Sequence, residues 1–359
     1  MSSSFGKNIR VSLFGESHGP GIGVVIDGLP AGIPIDENAL QTFLNRRAPG
    51  RSKLTTNRQE ADQPEFLSGY YQGHTTGSPL AAIIRNTDQR SGDYQNLADI
   101  PRPGHADYTA YLKYKGFADM RGGGHFSGRL TAPLCIAGGI ALQYLKTRDI
   151  YLAAHLKQVA DITDASFTGE SKDELIQLSQ KAFPTLDDYV GQAMQVAIEK
   201  TRAKGDSLGG IVEVLVNPIP AGLGSPMFDG IESQMAKVLF GIPGVKGVSF
   251  GSGFHAASMT GSTHNDPFRM EDGQVKSQSN HAGGMLGGIS NGMPILCQVA
   301  FKPTPSIGQE QASIRLSDQS NTSLGVKGRH DPCIAIRAVP VVEAATALVL
   351  LDLLLEEEN

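Results

Sequence analysis

The sequence predicts a single α+β domain. Short apolar runs rich in β-branched residues, typical of strands, mix with longer helical segments but lack the regular βαβ alternation of a doubly wound sheet. No composition shift marks a linker within the 359 residues, so we expect one domain over residues 1–359. With 40% hydrophobic residues, a chain of this length can bury a large core.

The first half supplies strands on either side of a capped helix. Asp36 is a suitable N-cap for a helix through ENALQTFLNRR, and Arg46 and Arg47 at its end complement the helix dipole. Strands are predicted at 8–14, 21–27, 66–69 and 79–85, a short aromatic helix at 108–114, and a buried helix at 127–146.

The second half repeats this mixture. Residues 150–205 are richer in Asp, Lys, Gln and Thr, and we interpret them as scaffold with one helix at 187–204. Further strands are predicted at 208–216, 245–250 and 294–301, and helices at 228–240 and 341–355. Because both halves place strand pairs beside a long helix, the sequence suggests an internal pseudo-repeat.

Composition argues against several classes of protein. The net charge of -5 provides no basic field for nucleic acid. Cys135, Cys297 and Cys333 have apolar neighbours and no paired spacing, which is typical of a reducing cytosol and argues against zinc or disulfides. The N-terminus lacks the pattern of a signal peptide, and the longest apolar run, 344–355, is too short to cross a membrane. We therefore expect a cytoplasmic protein.

The stretch 101–139 is the first candidate for a functional site. It holds His105 and His125 next to glycines, with Arg102, Arg121 and Arg129 close by in sequence. Glycine lets backbone N–H groups approach a ligand closely, and arginine offers a planar fork of donors to phosphate or carboxylate. The stretch therefore indicates a wall that binds an anion and a planar ligand.

A basic loop forms a second candidate. Five cations lie between residues 46 and 58, namely Arg46, Arg47, Arg51, Lys53 and Arg58. Such a run is either a solvated basic face or a flap over an anionic ligand.

Five histidines lie within two residues of a glycine: His18, His105, His125, His281 and His330. A single histidine of this kind is usually an ordinary loop residue, but five at the ends of elements predict that at least two line one cleft and transfer protons. Asp331 either caps a turn or, beside Arg329, stays ionised as a base or orienting group.

Metal sites and the common phosphate motifs are not expected. The sequence has no HExxH, no paired cysteines and no GxxxxGK[ST], and residues 122–128 lack the dinucleotide-binding spacing. The near match to a nucleophile elbow at 15–19 joins two predicted strands, whereas the elbow joins a strand to a helix.

Seven motifs, in order along both ends of the chain, together resemble the chorismate synthase family. They are GESHG (15–19), RRAPGRSKLTTNRQEAD (46–62), PRPGHADY (101–108), GGGHFSGRLTA (122–132), SNHAGGMLGGISNG (279–292), KPTPSI (302–307) and GRHDPCIAIRAVP (328–340). Most of the motifs are weak when taken singly, but the ordered set is highly specific.

The resemblance implies a lyase that converts 5-enolpyruvylshikimate 3-phosphate to chorismate and phosphate by 1,4-elimination, the last step of the shikimate pathway. It implies reduced FMN as cofactor without net redox change, with NADPH as a candidate reductant of FMN, used either by this chain or by an external flavin reductase. It also implies a β-α-β sandwich with an internal pseudo-twofold axis, and a homotetramer.

The resemblance also assigns roles to residues. His18 would protonate the departing phosphate, His105 would donate a proton near the flavin N1 and C2 oxygen, and Asp331 would assist proton removal through flavin N5. The substrate would be bound by Arg46, Arg47, Arg129 and Arg337. Flavin contacts would come from Lys53, His125, Phe126, Ser127, Gly287, Lys302, Pro303, Thr304, Pro305, Ser306 and Arg329. No metal site is implied.

The sequence departs from the family's usual pattern at three places. His125-Phe126 replaces a common Arg-Ser, Leu130 replaces a glutamate, and Ala48 replaces a third arginine. Two other functions remain open at this point: a phosphatase or phosphotransferase that acts on a small phosphorylated metabolite without flavin, and a non-enzymatic anion-binding protein.

Overall fold

The computed structural model describes residues 3–50, 54–55, 61–87, 99–326 and 330–358. It is a mixed α and β structure with two five-stranded sheets and several two-stranded hairpins. Every strand pairing in the two large sheets is antiparallel, which agrees with the predicted α+β class and with the absence of a βαβ rhythm.

The first sheet and its neighbouring helices come from the first half of the chain. Their elements are β1 (Ser4–Phe5), β2 (Arg10–Gly15), β3 (Gly21–Asp27), α1 (Glu37–Arg47), β4 (Glu65–Ser68), β5 (Tyr70–Tyr71), β6 (His74–Thr75), β7 (Leu80–Arg85), α2 (Asp107–Tyr114) and α3 (Thr131–Thr147). The order in the sheet is β1-β2-β3-β7-β4, and β5 pairs with β6 in a small hairpin.

The second sheet comes from the second half. Its elements and those around it are β8 (Leu152–Val159), β9 (Ile162–Thr163), α4 (Lys172–Gln180), α5 (Asp188–Ala203), β10 (Gly210–Val216), α6 (Ile231–Leu239), β11 (Val245–Phe250), α7 (Gly261–His264), β12 (Phe268–Glu271), β13 (Gln274–Ser277), β14 (Met285–Leu286), β15 (Ile289–Ser290), β16 (Ile295–Phe301), β17 (Gln311–Arg315), β18 (Ser320–Leu324) and α8 (Ala335–Glu358). The order in this sheet is β11-β16-β10-β8-β9.

Two apolar helices form the centre of the core. α3 packs on β3 and β7 of the first sheet, α8 packs on β8 and β10 of the second, and the two helices pack on each other. Gly138 permits this close approach, because a Cβ at that position would lie 2.3 Å from the Cβ of Ala344. The helices thus bury their apolar faces between the two sheets.

The C-terminal helix is longer than the sequence predicted. It begins at Ala335 and continues through Pro340, whereas the expected start was residue 341. By length and hydropathy Ala335–Glu357, which contains the apolar run 344–355, could cross a membrane, but its most apolar window is 100% buried inside the protein. The apolar surface of this helix is accounted for by the core.

Several local predictions are confirmed. α1 spans the predicted residues, and the Asp36 carboxylate accepts hydrogen bonds from the backbone N–H groups of Asn38 and Ala39, both at 2.9 Å. The buried helix α3 begins at Thr131 rather than at residue 127, because residues 128–130 form a separate 3-10 turn capped by Ser127. β8 and α4 were not predicted, and both lie within residues 150–205, which were interpreted as scaffold.

Candidate active site

The turn between β2 and β3 holds the first histidine. His18 is buried, with a relative exposure of 5%, and its Nδ1 lies 3.3 Å from the hydroxyl of Ser17. The backbone N–H of Ser17 donates to the carbonyl of Gly124 at 3.1 Å. This bond fixes the turn against the glycine-rich segment 122–124.

Three consecutive glycines separate His18 from His105. Gly122, Gly123 and Gly124 all have positive φ, at 61°, 90° and 53°. A Cβ on Gly122 would lie 2.0 Å from Nδ1 of His18, and a Cβ on Gly123 would lie 3.2 Å from Nε2 of His105. Both the backbone conformation and the close approach therefore require glycine. The predicted pair of histidines in one place thus exists, with the glycine loop between them.

A buried aspartate contacts His105. The Nδ1 of His105 lies 2.6 Å from Oδ1 of Asp107, and Oδ2 of Asp107 accepts from Nε of Arg102 at 2.8 Å. Burial alone would raise the pKa of Asp107, but the hydrogen bonds and charges of Arg102 and His105 outweigh it and hold this pKa far below its ordinary value. Asp107 is therefore an ionised carboxylate between an arginine and a histidine.

The predicted flavin segment 302–306 lies against these residues. The ammonium group of Lys302 donates to the carbonyl of Gly104, and Ser306 Oγ accepts from Nη1 of Arg102 at 3.1 Å. The hydroxyl of Thr304 donates to the carbonyl of Asp331 at 2.7 Å. The segment consequently links the loop of His105 to that of Asp331. Pro303 packs near Gly209, and Pro305 faces Gly104.

Asp331 is paired with Arg337. Its Oδ2 lies 2.6 Å from Nη1 of Arg337, whose Nε donates to the carbonyl of Arg47 at 2.9 Å. Burial lowers the pKa of Arg337 below its ordinary value despite the nearby carboxylate. The structure therefore brings a predicted catalytic residue and two predicted substrate arginines into one network.

The buried carboxylate of Asp62 joins Arg47 to Arg129, a third predicted substrate arginine. Its carboxylate accepts from Nε of Arg47 at 3.0 Å and also pairs with Nη1 of Arg129. The side chains of Arg47, Arg129 and Asp62 are 1%, 3% and 0% exposed. Burial would raise the pKa of Asp62, but the two guanidinium groups outweigh it and lower this pKa below its ordinary value.

The network continues from Arg129 to the turn that carries His18. Nε of Arg129 donates to the side-chain oxygen of Asn86 at 3.2 Å, and the Asn86 amide donates to the carbonyls of Glu16 and Gly19 at 3.2 and 2.8 Å. Polar contacts thus connect the arginines to the histidine turn.

Within the described residues, Arg46 pairs with a different carboxylate. It forms a bidentate pair with the buried Glu343 of α8, at 2.5 and 2.9 Å, and Glu343 also accepts from the backbone N–H of Ala154 at 2.9 Å. This arginine ties α1 to α8 and β8.

The remaining predicted flavin residues fall into four groups. Ser127 accepts from the backbone N–H of Arg129 at 3.2 Å, next to the network. Nδ1 of His125 lies 2.9 Å from the carbonyl oxygen of Gly15, and its Nε2 lies 2.8 Å from the hydroxyl of Ser3. The ring centroids of Phe126 and Tyr114 are 6.2 Å apart.

Gly287 lies in the turn between β14 and β15, and Ile289 of that hairpin forms an isolated bridge with Gly224 near α6. Lys53 and Arg329 lie outside the described residues, as do Arg51 and Arg58 of the basic loop.

Three polar residues of this site were not predicted from the sequence: Asp62, Asn86 and Asp107. Asp62 and Asp107 stood inside quoted motifs, so their motif membership was an available signal. His330 is largely buried, and burial together with the positive charge of Arg102 lowers its pKa to about 4. His330 is therefore neutral near pH 7.

The arrangement defines a class of enzyme. Buried arginines and two histidines around a glycine loop suit a site that binds a polyanion and moves protons. Among the described residues, no group of three or more His, Cys, Asp or Glu side chains could hold a metal ion.

Comparison with known proteins identifies the family. A family model described as chorismate synthase matches residues 9–355. The chain is 47% identical to the chorismate synthase of Korarchaeum cryptofilum, over 97% of this chain and 96% of that protein. It is 45% identical to that of Dehalococcoides mccartyi, over 99% and 97%. A crystal structure of chorismate synthase matches with a TM-score of 0.75 and 27% identity, covering 98% of this chain and 93% of that one. The chain belongs to the chorismate synthase family and is a lyase of the shikimate pathway.

Proposed function

We propose that this chain eliminates phosphate from 5-enolpyruvylshikimate 3-phosphate to form chorismate, with reduced FMN as its cofactor. The observation that carries the proposal is the placement of His18 and His105 on either side of Gly122 and Gly123. Two proton donors beside a backbone free of side chains suit an elimination in which a phosphate leaves and a flat ligand lies close by.

The residues fit a flavin at this place. The glycine loop keeps side chains away from both histidines, and Gly104, whose φ of 72° favours glycine, faces Pro305 of the 302–306 segment. Residues 302–306, His105 and Ser127 would hold the flavin, with Lys302 meeting its negative charge. When bound, reduced FMN would supply electron density to the substrate, which no side chain of this chain can do.

The chain's own residues would bind the anion and move the protons. His18 would give a proton to the departing phosphate, His105 would hold a proton at the flavin side, and Asp331 would help remove the substrate proton. Fixed donors in a water-poor site stabilise developing negative charge without reorganisation.

Arg47, Arg129 and Arg337 would meet the phosphate and carboxylates of the substrate. Arg46 is proposed with them on the resemblance alone, since its guanidinium is engaged by Glu343. Lys53, His125, Phe126, Gly287 and Arg329 are likewise proposed as flavin contacts on the resemblance alone.

The larger organisation is proposed as well. The packing of α3 and α8 between the two sheets supports a β-α-β sandwich within one domain, and the two similar sheet orders support an internal pseudo-twofold axis. Large apolar side chains that are 80–90% exposed support assembly into a homotetramer: Met227, Phe228 and Phe254. Three buried free cysteines support a cytoplasmic location. NADPH, used by this chain or by an external flavin reductase, is proposed as the source of electrons for FMN.

The test is anaerobic incubation of the chain with 5-enolpyruvylshikimate 3-phosphate, with and without reduced FMN, while chorismate absorbance and phosphate are followed. We expect both products only when reduced FMN is present. Phosphate release without flavin would instead favour the phosphatase or phosphotransferase, and no turnover with flavin would reject the proposal.

A further inference from the structure

We propose that Arg102 is a positioning residue, whose single guanidinium group holds the imidazole of His105 and the segment 302–306 in a fixed relation to each other. The inference rests on the proposed function, in which His105 holds a proton beside the flavin, and adds a residue to it. The sequence placed Arg102 in a wall that binds an anion. Its side chain is 4% exposed, and its contacts assign it a different task.

Arg102 holds the ring of His105. Its Nη2 donates to Nδ1 of His105 at 3.1 Å, and its backbone carbonyl accepts from the N–H of His105 at 3.2 Å. Both side chains border the glycine loop, since a Cβ on Gly123 would lie 3.2 Å from Nε2 of His105 and 3.7 Å from Nη2 of Arg102. The guanidinium group therefore holds the ring at Nδ1, and Nε2 lies beside the loop.

The same guanidinium group holds the segment 302–306. Nη1 of Arg102 donates to Oγ of Ser306 at 3.1 Å, and the two residues are 204 positions apart in sequence. At the other end of the segment, the ammonium group of Lys302 donates to the carbonyl of Gly104. The segment is thus tied at both ends to the loop that carries His105, and Arg102 provides one of these ties.

Asp107 fixes the guanidinium group in its orientation. Nε and Nη2 of Arg102 each donate to its carboxylate at 2.8 Å, and the backbone N–H of Arg102 donates to it at 2.9 Å. A planar fork held at two points cannot turn without breaking both bonds. The contacts to His105 and Ser306 are therefore rigid. Such a link matters for turnover, because a misplacement of about 1 Å in a reacting group can lower a rate about 100-fold.

The first test compares wild type, Arg102→Lys and the control Arg85→Lys, which changes an arginine in an exposed pair with Glu65. Lysine keeps the positive charge beside Asp107, but a single ammonium group cannot replace the planar fork that reaches both the ring and Ser306. The measurements are kcat and KM for 5-enolpyruvylshikimate 3-phosphate with reduced FMN, and the dissociation constant of oxidised FMN from the quenching of its fluorescence.

In Arg102→Lys we expect kcat to fall about 100-fold, substrate KM to stay within about twofold, and the FMN dissociation constant to rise about 3- to 10-fold. Arg85→Lys should match the wild type in all three. A rise of about tenfold or more in substrate KM would overturn the proposal, because Arg102 would then bind the substrate anion. An unchanged kcat in the folded variant would overturn it as well.

The second test needs no variant: a crystal structure of the ligand-free wild type after soaking with inorganic phosphate. We expect the guanidinium group of Arg102 between Asp107, His105 and Ser306, with no phosphate on it. Phosphate bound to this group, or a guanidinium group turned away from His105, would overturn the proposal even if Arg102→Lys does not fold. If the wild type forms no chorismate, the proposed function fails, while the crystal structure still decides the position of Arg102.

Discussion

Two buried charged clusters, one in each half of the chain, differ in what surrounds them. The first places Asp62 between Arg47 and Arg129 and continues through Asn86 to the turn of His18. The second places His155 between Asp164 and Glu213, with nitrogen to oxygen distances of 3.2 and 3.1 Å and no exposure of any of the three side chains.

The second cluster is closed by backbone and core groups. Asp164 accepts from the N–H groups of Leu186 and Asp187, and Glu213 accepts from the N–H of Phe167 and the amide of Gln298. Its members therefore serve the packing of the second sheet. Burial of charge therefore does not by itself mark a catalytic site. The first cluster is distinguished by the polar contacts that connect it to the glycine loop and to the loops of both histidines.

The largest expected effect is on stability in the first cluster. Asp62→Ala leaves Arg47 and Arg129 buried without their carboxylate, which we expect to reduce the free energy of unfolding by about 3–5 kcal/mol. Urea denaturation monitored by circular dichroism measures the change. The exposed pair offers a control, since Glu65→Ala should change stability by at most about 1 kcal/mol. Equal small losses in both variants would contradict the assignment of Asp62 as the main counter-charge.

Replacing the histidine of the second cluster should give a similar but smaller loss. His155→Gln removes the imidazolium between two buried carboxylates, and we expect a loss of about 3 kcal/mol at pH 6. Turnover per folded molecule should be unchanged, because the groups that contact this cluster surround the second sheet and belong to neither the glycine loop nor the site histidines. A catalytic defect in fully folded His155→Gln would remove the distinction between the two clusters.

The second cluster should also respond to pH. Burial lowers the pKa of His155, but the two carboxylates outweigh it and raise this pKa above its ordinary value. The stabilisation is therefore complete below about pH 6.5, the unfolded value, and is lost as the pH rises through the raised pKa. The difference in unfolding free energy between wild type and His155→Gln should shrink at alkaline pH. A difference that grows with pH would contradict this account.

The smallest expected change in stability accompanies a large change in turnover. Gly122→Ala introduces a Cβ 2.0 Å from Nδ1 of His18 at a φ of 61°, so the histidine or the loop must move. We expect turnover to fall about 100-fold with a loss of stability near 1–2 kcal/mol. Gly128→Ala, where a Cβ meets nothing within 4 Å, should retain turnover. Comparable losses of turnover in both alanine variants would show that this segment tolerates no added side chain at either position, and would contradict a specific requirement for glycine at position 122.

Local chemistry explains what the sequence could predict. The cap of α1 by Asp36 and the turn that carries His18 depend on neighbouring residues, and both were predicted correctly. β8 was missed because its sequence LAAHLKQV has polar residues where a buried strand normally has apolar ones. His155 is tolerated there only because partners 9 and 58 residues away compensate it.

The pairing of residues in the site also depends on partners that are distant in sequence. The arginines and histidines stand out by residue type, and Asp62 ends the quoted motif 46–62. However, Asp62 lies 15 residues from Arg47 and 67 residues from Arg129, the two arginines that it joins. Spacing alone gives no means to pair them. The fold brings them together through the packing of α1 against α3, which depends on the whole core.

The most direct test of the account is the rate of phosphate release in a single anaerobic turnover with reduced FMN, measured for wild type, His18→Asn and His105→Ala together with their melting temperatures. We expect rates about 100 to 10,000-fold lower in each variant, with melting temperatures close to that of the wild type. Wild-type rates in both variants, or rate losses that merely follow a large fall in melting temperature, would contradict it.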